Sequence, residues 1–356
     1  MGNLINYYGM GNTAKGSVDF YQSIFQGLNT IYGLKGGTSS FKTQLLKKIS
    51  NSYSKLYKVD VINSSIDINK IEGIIINELK IAIVDLTPIH GKKPVNNEVD
   101  LIEIDLTEAE NKNILKINNL NLNALKKSFS ENIKKATKEY EKALEIHDIW
   151  ETFYISNMDF KRANNLSNEI IDKIVPKEKI NESLGVIYDR YLGAATPVGS
   201  KDYIINLTDG LKRYFLKGRP GTGKSTILKK IANKLIEKGY NIEVYHCGFD
   251  PNSLDMVICR NLNLAIFDST SPHEYFPDKE DDEVIDVYKE CVKAGTDEKY
   301  SKELNQIIKR YKEKVKLGTR YLGLAKVISD KIEAVYAKAF KDEEAQQIVE
   351  KYLKFS

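Results

Sequence analysis

The residues best suited to do chemistry form one run of eight, in which glycines, a lysine and a hydroxyl side chain stand at fixed spacing. The run fits the pattern G-x-x-x-x-G-K-[ST], which is typical of P-loops, the loops that bind phosphate groups. We call this run the second loop. Its residues are Gly218, Arg219, Pro220, Gly221, Thr222, Gly223, Lys224 and Ser225.

The second loop predicts an anion site because of what its backbone can do. A glycine-rich turn can aim several N–H groups at one point, and the N-terminus of a following helix adds partial positive charge there. In such a loop Lys224 would reach the β- and γ-phosphates of ATP, and the Ser225 hydroxyl would bind Mg²⁺. We therefore expect ATP and Mg²⁺ as ligands, with the whole loop and the next residue, Thr226, around the phosphates.

Asp268 is the second predicted contributor to the metal site. It follows a run of apolar residues at 264–267, a pattern typical of the Walker B strand, whose terminal carboxylate holds a Mg²⁺-bound water. The predicted metal site therefore comprises Ser225 and Asp268. Lys224 and Asp268 are also predicted to act in catalysis.

Asp250 is the third predicted catalytic residue. At the carboxyl end of the preceding strand, it could take a proton from a substrate hydroxyl or orient an attacking water. The alternative is a structural role, because Asp250 opens an Asp-Pro-Asn-Ser sequence that is typical of an Asx turn. The two roles are compatible. Asp255, a few residues further along, is another carboxylate in the same segment.

The elements that must position these residues alternate between strand and helix. Residues 214–216 predict a buried strand before the second loop, and an apolar stripe predicts a helix after it. This alternation predicts an α/β fold with a parallel sheet that helices cover on both faces. Apolar positions at heptad-like spacing predict helical segments over about residues 105–175 and 281–356. The stripe after the loop consists of Ile227, Leu228, Ile231 and Leu235.

The chain contains an internal repeat. Residues 224–231 read KSTILKKI and residues 42–49 read KTQLLKKI, which places the two copies 182 positions apart. After one inserted residue, the strand that ends at Asp268 corresponds to residues 79–85 at an offset of 183. A period of this length predicts two tandem domains and not a solenoid of short repeats. We place duplicated P-loop NTPase domains at residues 1–178 and 179–356, each with a helical C-terminal segment.

The first copy of the loop departs from the pattern at one position. Residues 36–43, called the first loop, keep Lys42 and Thr43 but have Phe41 where the second loop has Gly223. Glycine allows a backbone conformation that is costly for a residue with a Cβ atom, so Phe41 should narrow the cradle. We predict one competent site, in the second half. Whether the first loop, with Asp85, is only a scaffold or retains weak binding is left open.

Two histidines follow the corresponding strands of the two halves. His90 and His273 both end an Asp-x-Thr-x-x-His sequence. Each stands where a sensor of the γ-phosphate would lie, but the role that we favour for each is that of a hydrogen-bonded structural histidine.

Composition narrows the class of protein. A net charge of +4 over 356 residues gives no indication of nucleic-acid binding. Three cysteines without a C-x-x-C pair favour a reducing compartment. The sequence has no apolar stretch of about 18 residues or more, so we expect no membrane span. We predict a cytoplasmic protein and leave open a protein partner or a homo-oligomer.

The second half resembles a family of tandem P-loop proteins from low-GC Gram-positive bacteria, which are labelled ATPase or nucleotide-kinase-like. The resemblance rests on residues 216–226, 246–255 and 265–273. It implies ATP binding and a P-loop architecture in both halves, and it supplies no substrate. The chain departs from the family at Phe41 and Ser269, where the resemblance leads us to expect glycine.

These observations predict an ATP-binding, Mg²⁺-dependent P-loop NTPase, with ATP hydrolysis as the leading reaction. Many such hydrolases carry a glutamate directly after the Walker B aspartate, whereas Ser269 stands there in this chain. Two alternatives therefore stay open. One is a small-molecule or nucleotide kinase that uses Asp250 as its base. The other is a nucleotide-controlled binding module with little turnover.

Overall fold

A computed structural model describes residues 4–353 and shows the same order of strands and helices in the two halves of the chain. The elements of the first half are β1 (Leu4–Tyr8), β2 (Met10–Thr13), β3 (Gly16–Asp19), α1 (Tyr21–Ile24), β4 (Thr30–Lys35), α2 (Ser39–Tyr53), β5 (Val59–Asn63), β6 (Ile71–Ile76), β7 (Ile81–Asp85), β8 (Asp100–Asp105), α3 (Lys112–Ile117), α4 (Asn119–Ile155) and α5 (Phe160–Ile174).

The second half repeats this series, with two short helices where the first half has a 3-10 turn and α3. Its elements are β9 (Ile187–Tyr191), β10 (Gly193–Thr196), β11 (Gly199–Asp202), α6 (Ile204–Leu207), β12 (Lys212–Lys217), α7 (Lys224–Glu237), β13 (Ile242–His246), β14 (Leu254–Cys259), β15 (Leu264–Asp268), β16 (Glu283–Asp286), α8 (Val287–Cys291), α9 (Thr296–Lys299), α10 (Ser301–Ala339) and α11 (Asp342–Tyr352).

A single twelve-stranded sheet runs through both halves. Its strand order is β16-β12-β15-β14-β13-β9-β1-β5-β6-β7-β4-β8. Read outward from the middle, the two halves have the same order, and they meet where Tyr8 of β1 pairs antiparallel with Tyr191 of β9. Each half therefore covers the edge strand of the other, which leaves no unpaired edge at the centre.

The α/β prediction is confirmed, whereas the prediction of a parallel sheet holds for only part of it. In each half one strand, β6 or β14, runs antiparallel to both of its neighbours. The reason is the short connection before it: residues 247–253 form a tight turn, in which Ser253 N–H donates to the Asp250 carbonyl over 3.0 Å. A parallel return would need a crossover of about a dozen residues or more.

Helices cover both faces of the sheet. One face packs against the short helices α1 and α6, and the other packs against α2, α5, α7 and α11. The helix α7 follows its sequence pattern, because Ile227, Leu228, Ile231 and Leu235 are all buried against the sheet. It ends before Gly239, whose positive φ of 85° suits the C-terminal end of a helix.

The two halves exchange their C-terminal helices. Leu166 and Ile170 of α5, in the first half of the sequence, pack in the core around α7. Ala345 and Val349 of α11, in the second half, pack in the core around α2. The packed units therefore differ from the sequence halves. That residues 1–178 and 179–356 are separate domains stays a prediction.

The long helices α4 and α10 carry out this exchange. They run antiparallel, so that Tyr140 contacts Gly318 while Trp150 contacts Tyr311. The pair lies across the loops at the carboxyl ends of the strands, where Phe129 and Tyr140 join clusters with loop residues. The two helices span 37 and 39 residues, but no helix within residues 4–353 combines the length and apolarity needed to cross a membrane.

A buried charge cluster joins the halves at the centre of the sheet. The Arg190 guanidinium lies 3.0 Å from Asp60 and 3.7 Å from Glu243, and its centre lies 4.3 Å above the Tyr7 ring. Burial opposes the charge of Glu243, but Arg190 and Arg260 outweigh it and lower the pKa of Glu243 to about 2. Strands from both halves supply these groups, so the cluster fixes the register between them.

The contact between α4 and α10 can be tested with two glycines of α10. A Cβ atom at Gly318 would lie 2.3 Å from the Tyr140 ring, whereas one at Gly323 would meet its nearest neighbour at 3.8 Å. We expect Gly318→Ala to lower the free energy of unfolding by about 1–3 kcal/mol through overpacking. We expect Gly323→Ala to raise it by up to about 1 kcal/mol, because alanine favours the helix. Urea denaturation followed by circular dichroism measures both, and equal effects would contradict this packing.

Candidate functional site

The second loop lies between β12 and α7 and needs its glycines at three positions. Gly221 and Gly223 have positive φ angles of 75° and 88°, which favour glycine. A Cβ atom at Gly218 would lie 2.6 Å from the Thr222 hydroxyl. Gly223 is also the N-cap of α7, so the loop leads directly into the positive end of a helix.

Lys224 and Asp268 lie together beside the second loop because β12 and β15 are neighbouring strands. Lys224 Nζ donates to the Arg219 carbonyl over 2.8 Å and lies 3.5 Å from Asp268 Oδ2. The other oxygen, Asp268 Oδ1, accepts from the Thr270 N–H and hydroxyl. The structure therefore brings these two predicted residues together, with one carboxylate oxygen held and the other facing the lysine.

Ser225 lies next to a second carboxylate. Its hydroxyl oxygen accepts from the Leu254 N–H over 3.0 Å, and the following residue is Asp255. The Asp255 side chain is buried, and its Oδ2 atom has no hydrogen-bond partner within residues 4–353. Burial raises the pKa of Asp255 to about 6, opposed by His273 and aided by Asp268. From the sequence, Asp255 was identified only as one of several acidic residues in this segment, without a predicted role in the site.

Asp250 has the contacts of a turn residue. Its Oδ1 atom accepts from the Asn252 N–H over 3.2 Å, and its carbonyl accepts from Ser253. This is the Asx turn that the Asp-Pro-Asn-Ser sequence predicts. A role for Asp250 as a catalytic base stays a prediction.

The C-terminal end of α4, from the first half of the sequence, lies against the second loop. A Cβ atom at Gly221 would lie 2.9 Å from both Cβ and the carbonyl oxygen of Glu151. One turn earlier, burial lowers the pKa of His147, and the charges of Lys224 and Asp250 also act on it. The site is therefore built from both halves of the chain.

The predicted phosphate-contacting residue Arg219 is held by neighbouring elements. Its guanidinium donates to Asp297 over 2.9 Å and lies 5.0 Å from the centre of the Tyr288 ring. The other oxygen of Asp297 accepts from the Tyr154 hydroxyl at the end of α4. Arg219 thus ties the second loop to α4, and its backbone carbonyl holds Lys224.

The α4 residues were not predicted to belong to the site, although the sequence contains a signal for them. The internal repeat extends at the same offset of 182 into α4 and α10. The matched residues are Asp148 and Asp330, Glu151 and Glu333, and Tyr154 and Tyr336.

The first loop is occupied by a carboxylate of the protein. Glu333 of α10 accepts from the Ser39 N–H over 3.2 Å, from the Ser39 hydroxyl over 2.9 Å and from the Ser40 N–H over 2.8 Å. Another glutamate, Glu110, accepts from the Gly37 N–H over 2.7 Å. The donors of this loop therefore already hold anionic oxygens.

Phe41 and Lys42 close the first site further. Lys42 Nζ donates to Asp85 over 2.5 Å and to Thr87 over 2.9 Å, and its side chain is buried. The Phe41 ring packs edge to face against Phe340 at 5.3 Å between centroids. The lysine and the carboxylate of the first half thus form a buried ion pair.

The second loop differs at the matching donors. Within the described residues, no acceptor meets the backbone N–H groups of Gly221 and Gly223. Glu151, the counterpart of Glu333, has its carboxylate 3.8 Å from His147 Nδ1 instead. Of the two donors that Glu333 holds in the first loop, the match of Ser39, the Gly221 N–H, is therefore open in the second loop. The match of Ser40, the Thr222 N–H, donates within the loop to the Arg219 carbonyl over 3.3 Å.

Both predicted histidines lie against carboxylates. His90 Nε2 is 3.1 Å from Glu72, and His273 Nδ1 is 2.8 Å from Asp202. These are the contacts of structural histidines. A role in sensing a γ-phosphate stays a prediction.

Comparisons of this chain with models of protein families, with curated proteins and with solved structures found no match.

The role of Glu333 can be tested by replacing its charge. Burial opposes ionisation of Glu333, but Lys70 and the hydrogen bonds from Ser40 and Ser39 lower its pKa overall. Its contribution is therefore complete above the ordinary glutamate pKa of about 4.3 and is lost as pH falls through the lower folded value. We expect Glu333→Gln to reduce the free energy of unfolding by about 1–2 kcal/mol at neutral pH.

Urea denaturation at a series of pH values measures this effect, and the difference from wild type should shrink in acid. The matched control is Glu151→Gln, which removes only an ion pair within α4 and should change stability by about 0.5 kcal/mol or less. An effect of Glu333→Gln that persists in acid, or that does not exceed the control, would contradict the role of the charge.

Proposed function

We propose that this protein binds ATP with Mg²⁺ at the second loop and hydrolyses it there. The observation that carries the proposal is the difference between the two loops. In the first loop, two oxygens of Glu333 occupy the N–H groups of Ser39 and Ser40. In the second loop, the Gly221 N–H that matches Ser39 is open, as is the Gly223 N–H, while the Thr222 N–H that matches Ser40 donates only to the loop's own Arg219 carbonyl.

The first loop supports anion binding by the second because the two loops stand in matching places. Both follow the strand next to the one that ends in aspartate, and both lead into a helix. The first loop binds a pair of anionic oxygens, those of the Glu333 carboxylate. Phosphate oxygens have the same acceptor chemistry and more charge, and a helix N-terminus favours both.

The side chains around the second loop fit the triphosphate of a nucleotide. Lys224 is a cation that already bonds a carbonyl of the loop and faces Asp268. With ATP bound, it would exchange the carbonyl for phosphate oxygens. The open N–H groups would stabilise the negative charge that develops on the phosphate oxygens during transfer. Stabilisation of this charge is the main requirement of phosphoryl-transfer catalysis.

The residues present also fit Mg²⁺. The Ser225 hydroxyl and the Asp268 carboxylate are hard oxygen donors, which this ion prefers. The buried Asp255 Oδ2 atom has no hydrogen-bond partner within residues 4–353, so it is a further oxygen that a bound cation would contact. When bound, Mg²⁺ would neutralise part of the phosphate charge.

We further propose that both halves are P-loop domains, of which only the second binds nucleotide. The repeated order of strands supports this proposal, as does the correspondence of the two loops. In the first half, the buried pair of Lys42 and Asp85 would serve stability in place of binding.

The proposal predicts unequal effects of the two loop lysines. Lys224→Ala should weaken ATP binding by about 100-fold or more and abolish release of inorganic phosphate, because the lysine contacts the phosphates. Lys42→Met should change ATP affinity by less than about threefold, since the first loop is filled by Glu333. Isothermal titration calorimetry and a phosphate-release assay measure the two properties.

Lys42→Met leaves Asp85 buried without its partner and should lower stability by about 3–5 kcal/mol, so binding is compared only after circular dichroism shows folded protein. Unchanged ATP binding in Lys224→Ala would contradict the assignment of the second loop. Loss of binding in folded Lys42→Met alone would move the site to the first loop.

A further inference from the structure

Asp255 and Asp268 lie side by side at the edge of the sheet. Strand β14 pairs antiparallel with β15, with Met256 opposite Phe267. One residue further along, Asp255 therefore stands opposite Asp268. Because side chains alternate between faces, both carboxylates lie on the face opposite to Met256 and Phe267.

That face is the one that carries α7. Val257 and Ile266 lie two residues from the two acids, and both pack in the same core as Ile227 of α7. The acids follow on the same face towards the carboxyl edge, where α7 begins with Lys224. The Leu254 N–H, beside Asp255, donates to the Ser225 hydroxyl oxygen. Ser225 of α7, Asp255 of β14 and Asp268 of β15 thus lie on one face at the same edge of the sheet.

The charge at this point is unbalanced. Asp255 is 8% exposed, and its Oδ2 atom has no hydrogen-bond partner within residues 4–353. Lys224 lies 3.5 Å from Asp268, and His273, the other cationic group that acts on Asp255, already bonds Asp202. A buried carboxylate oxygen without a partner is costly, and a bound cation removes that cost.

The corresponding acid of the first half has what Asp255 lacks. Glu72 occupies the position of Asp255 at the offset of 183. It lies 3.1 Å from His90 Nε2 and accepts from the Tyr21 hydroxyl over 3.2 Å. In the second half, Ile204 replaces Tyr21.

His273, the counterpart of His90, bonds Asp202. The second half therefore has no hydroxyl in the place of Tyr21, and its histidine bonds Asp202 instead of Asp255, which leaves the Cys247 thiol as the hydrogen-bonding neighbour of Asp255.

We propose that Asp255 is a ligand of a divalent cation, Mg²⁺, which it binds together with Ser225 and Asp268. The proposal rests on the proposed function in that the ion would accompany the nucleotide. It adds a second carboxylate, supplied by a different strand, to the pair that the loop pattern predicts. Asp255 is thus a binding residue of the site and not only a buried acid of the core.

Mn²⁺ replaces Mg²⁺ as the probe in the test, because electron paramagnetic resonance reports free Mn²⁺ directly. The full chain is titrated with Mn²⁺ alone and with Mn²⁺ plus ADP. We expect Asp255→Asn to weaken Mn²⁺ binding by about tenfold or more, because even the loss of a side chain that only orients a metal ligand weakens metal binding by about this factor. Glu72→Gln, at the matching position of the first half, should change it by less than about twofold.

Asp255→Asn should fold, because it removes a buried charge of which one oxygen has no partner and keeps the shape of the side chain. Thermal unfolding without metal should show a midpoint equal to or above that of wild type. Asp255→Ala serves as a second variant, and it should weaken Mn²⁺ binding at least as much as Asp255→Asn.

The outcomes separate this proposal from the proposed function. If wild type binds nucleotide and Mn²⁺, and neither Asp255 variant weakens Mn²⁺ binding, the ligand assignment is overturned while nucleotide binding stands. If wild type binds Mn²⁺ through Asp255 but binds no nucleotide, the metal site stands and the proposed function fails. If wild type binds neither, both are overturned.

Discussion

The exchange of C-terminal helices between the two halves is the constraint on which the rest of the structure depends. Because α4 and α10 run antiparallel across the carboxyl ends of the strands, each delivers its last turns to the loop of the opposite half. The second loop therefore meets α4 from the first half, and the first loop meets α10 from the second. Neither loop has a complete environment within its own half of the sequence.

A few side chains make the first loop and the second loop chemically different, although the two loops occupy corresponding positions in the two halves. At one loop the incoming glutamate, Glu333, holds the backbone donors, while at the other Glu151 lies alongside without bonding them. Phe41 fills space where Gly223 leaves it open. The Tyr21 hydroxyl donates to Glu72, whereas Ile204, which stands at the matching position of the second half, has no hydroxyl to donate to Asp255. Each of these groups makes a contact within the protein in the first half, and its equivalent in the second half does not make that contact.

Much of the fold and of the second loop could be predicted from short sequence patterns. The strand before the loop, the helix after it and the acid at the end of β15 all follow from short patterns. The repeat also indicated that the halves share one plan. The reversed strands β6 and β14 were not predicted, because the apolar pattern of a strand does not give its direction, which depends on the length of the connection before it.

The contributions of α4 and α10 were harder to predict because they depend on contacts far apart in sequence. Glu333 and Ser39 are 294 positions apart, and helical periodicity gives the buried stripe of a helix without naming its partner. Likewise, the position of Asp255 beside Asp268 can be inferred only when β14 is known to lie antiparallel beside β15. Comparison of the two halves beyond the loops was the one sequence signal that pointed to these residues.

The central claim is that one of two similar loops binds nucleotide. The most direct test is the number of nucleotides bound by each chain, measured by calorimetric titration of wild-type protein with a non-hydrolysable ATP analogue and excess Mg²⁺. The structure predicts one nucleotide for each chain, since Glu333 occupies the first loop. Binding of two nucleotides, or of none, would contradict it.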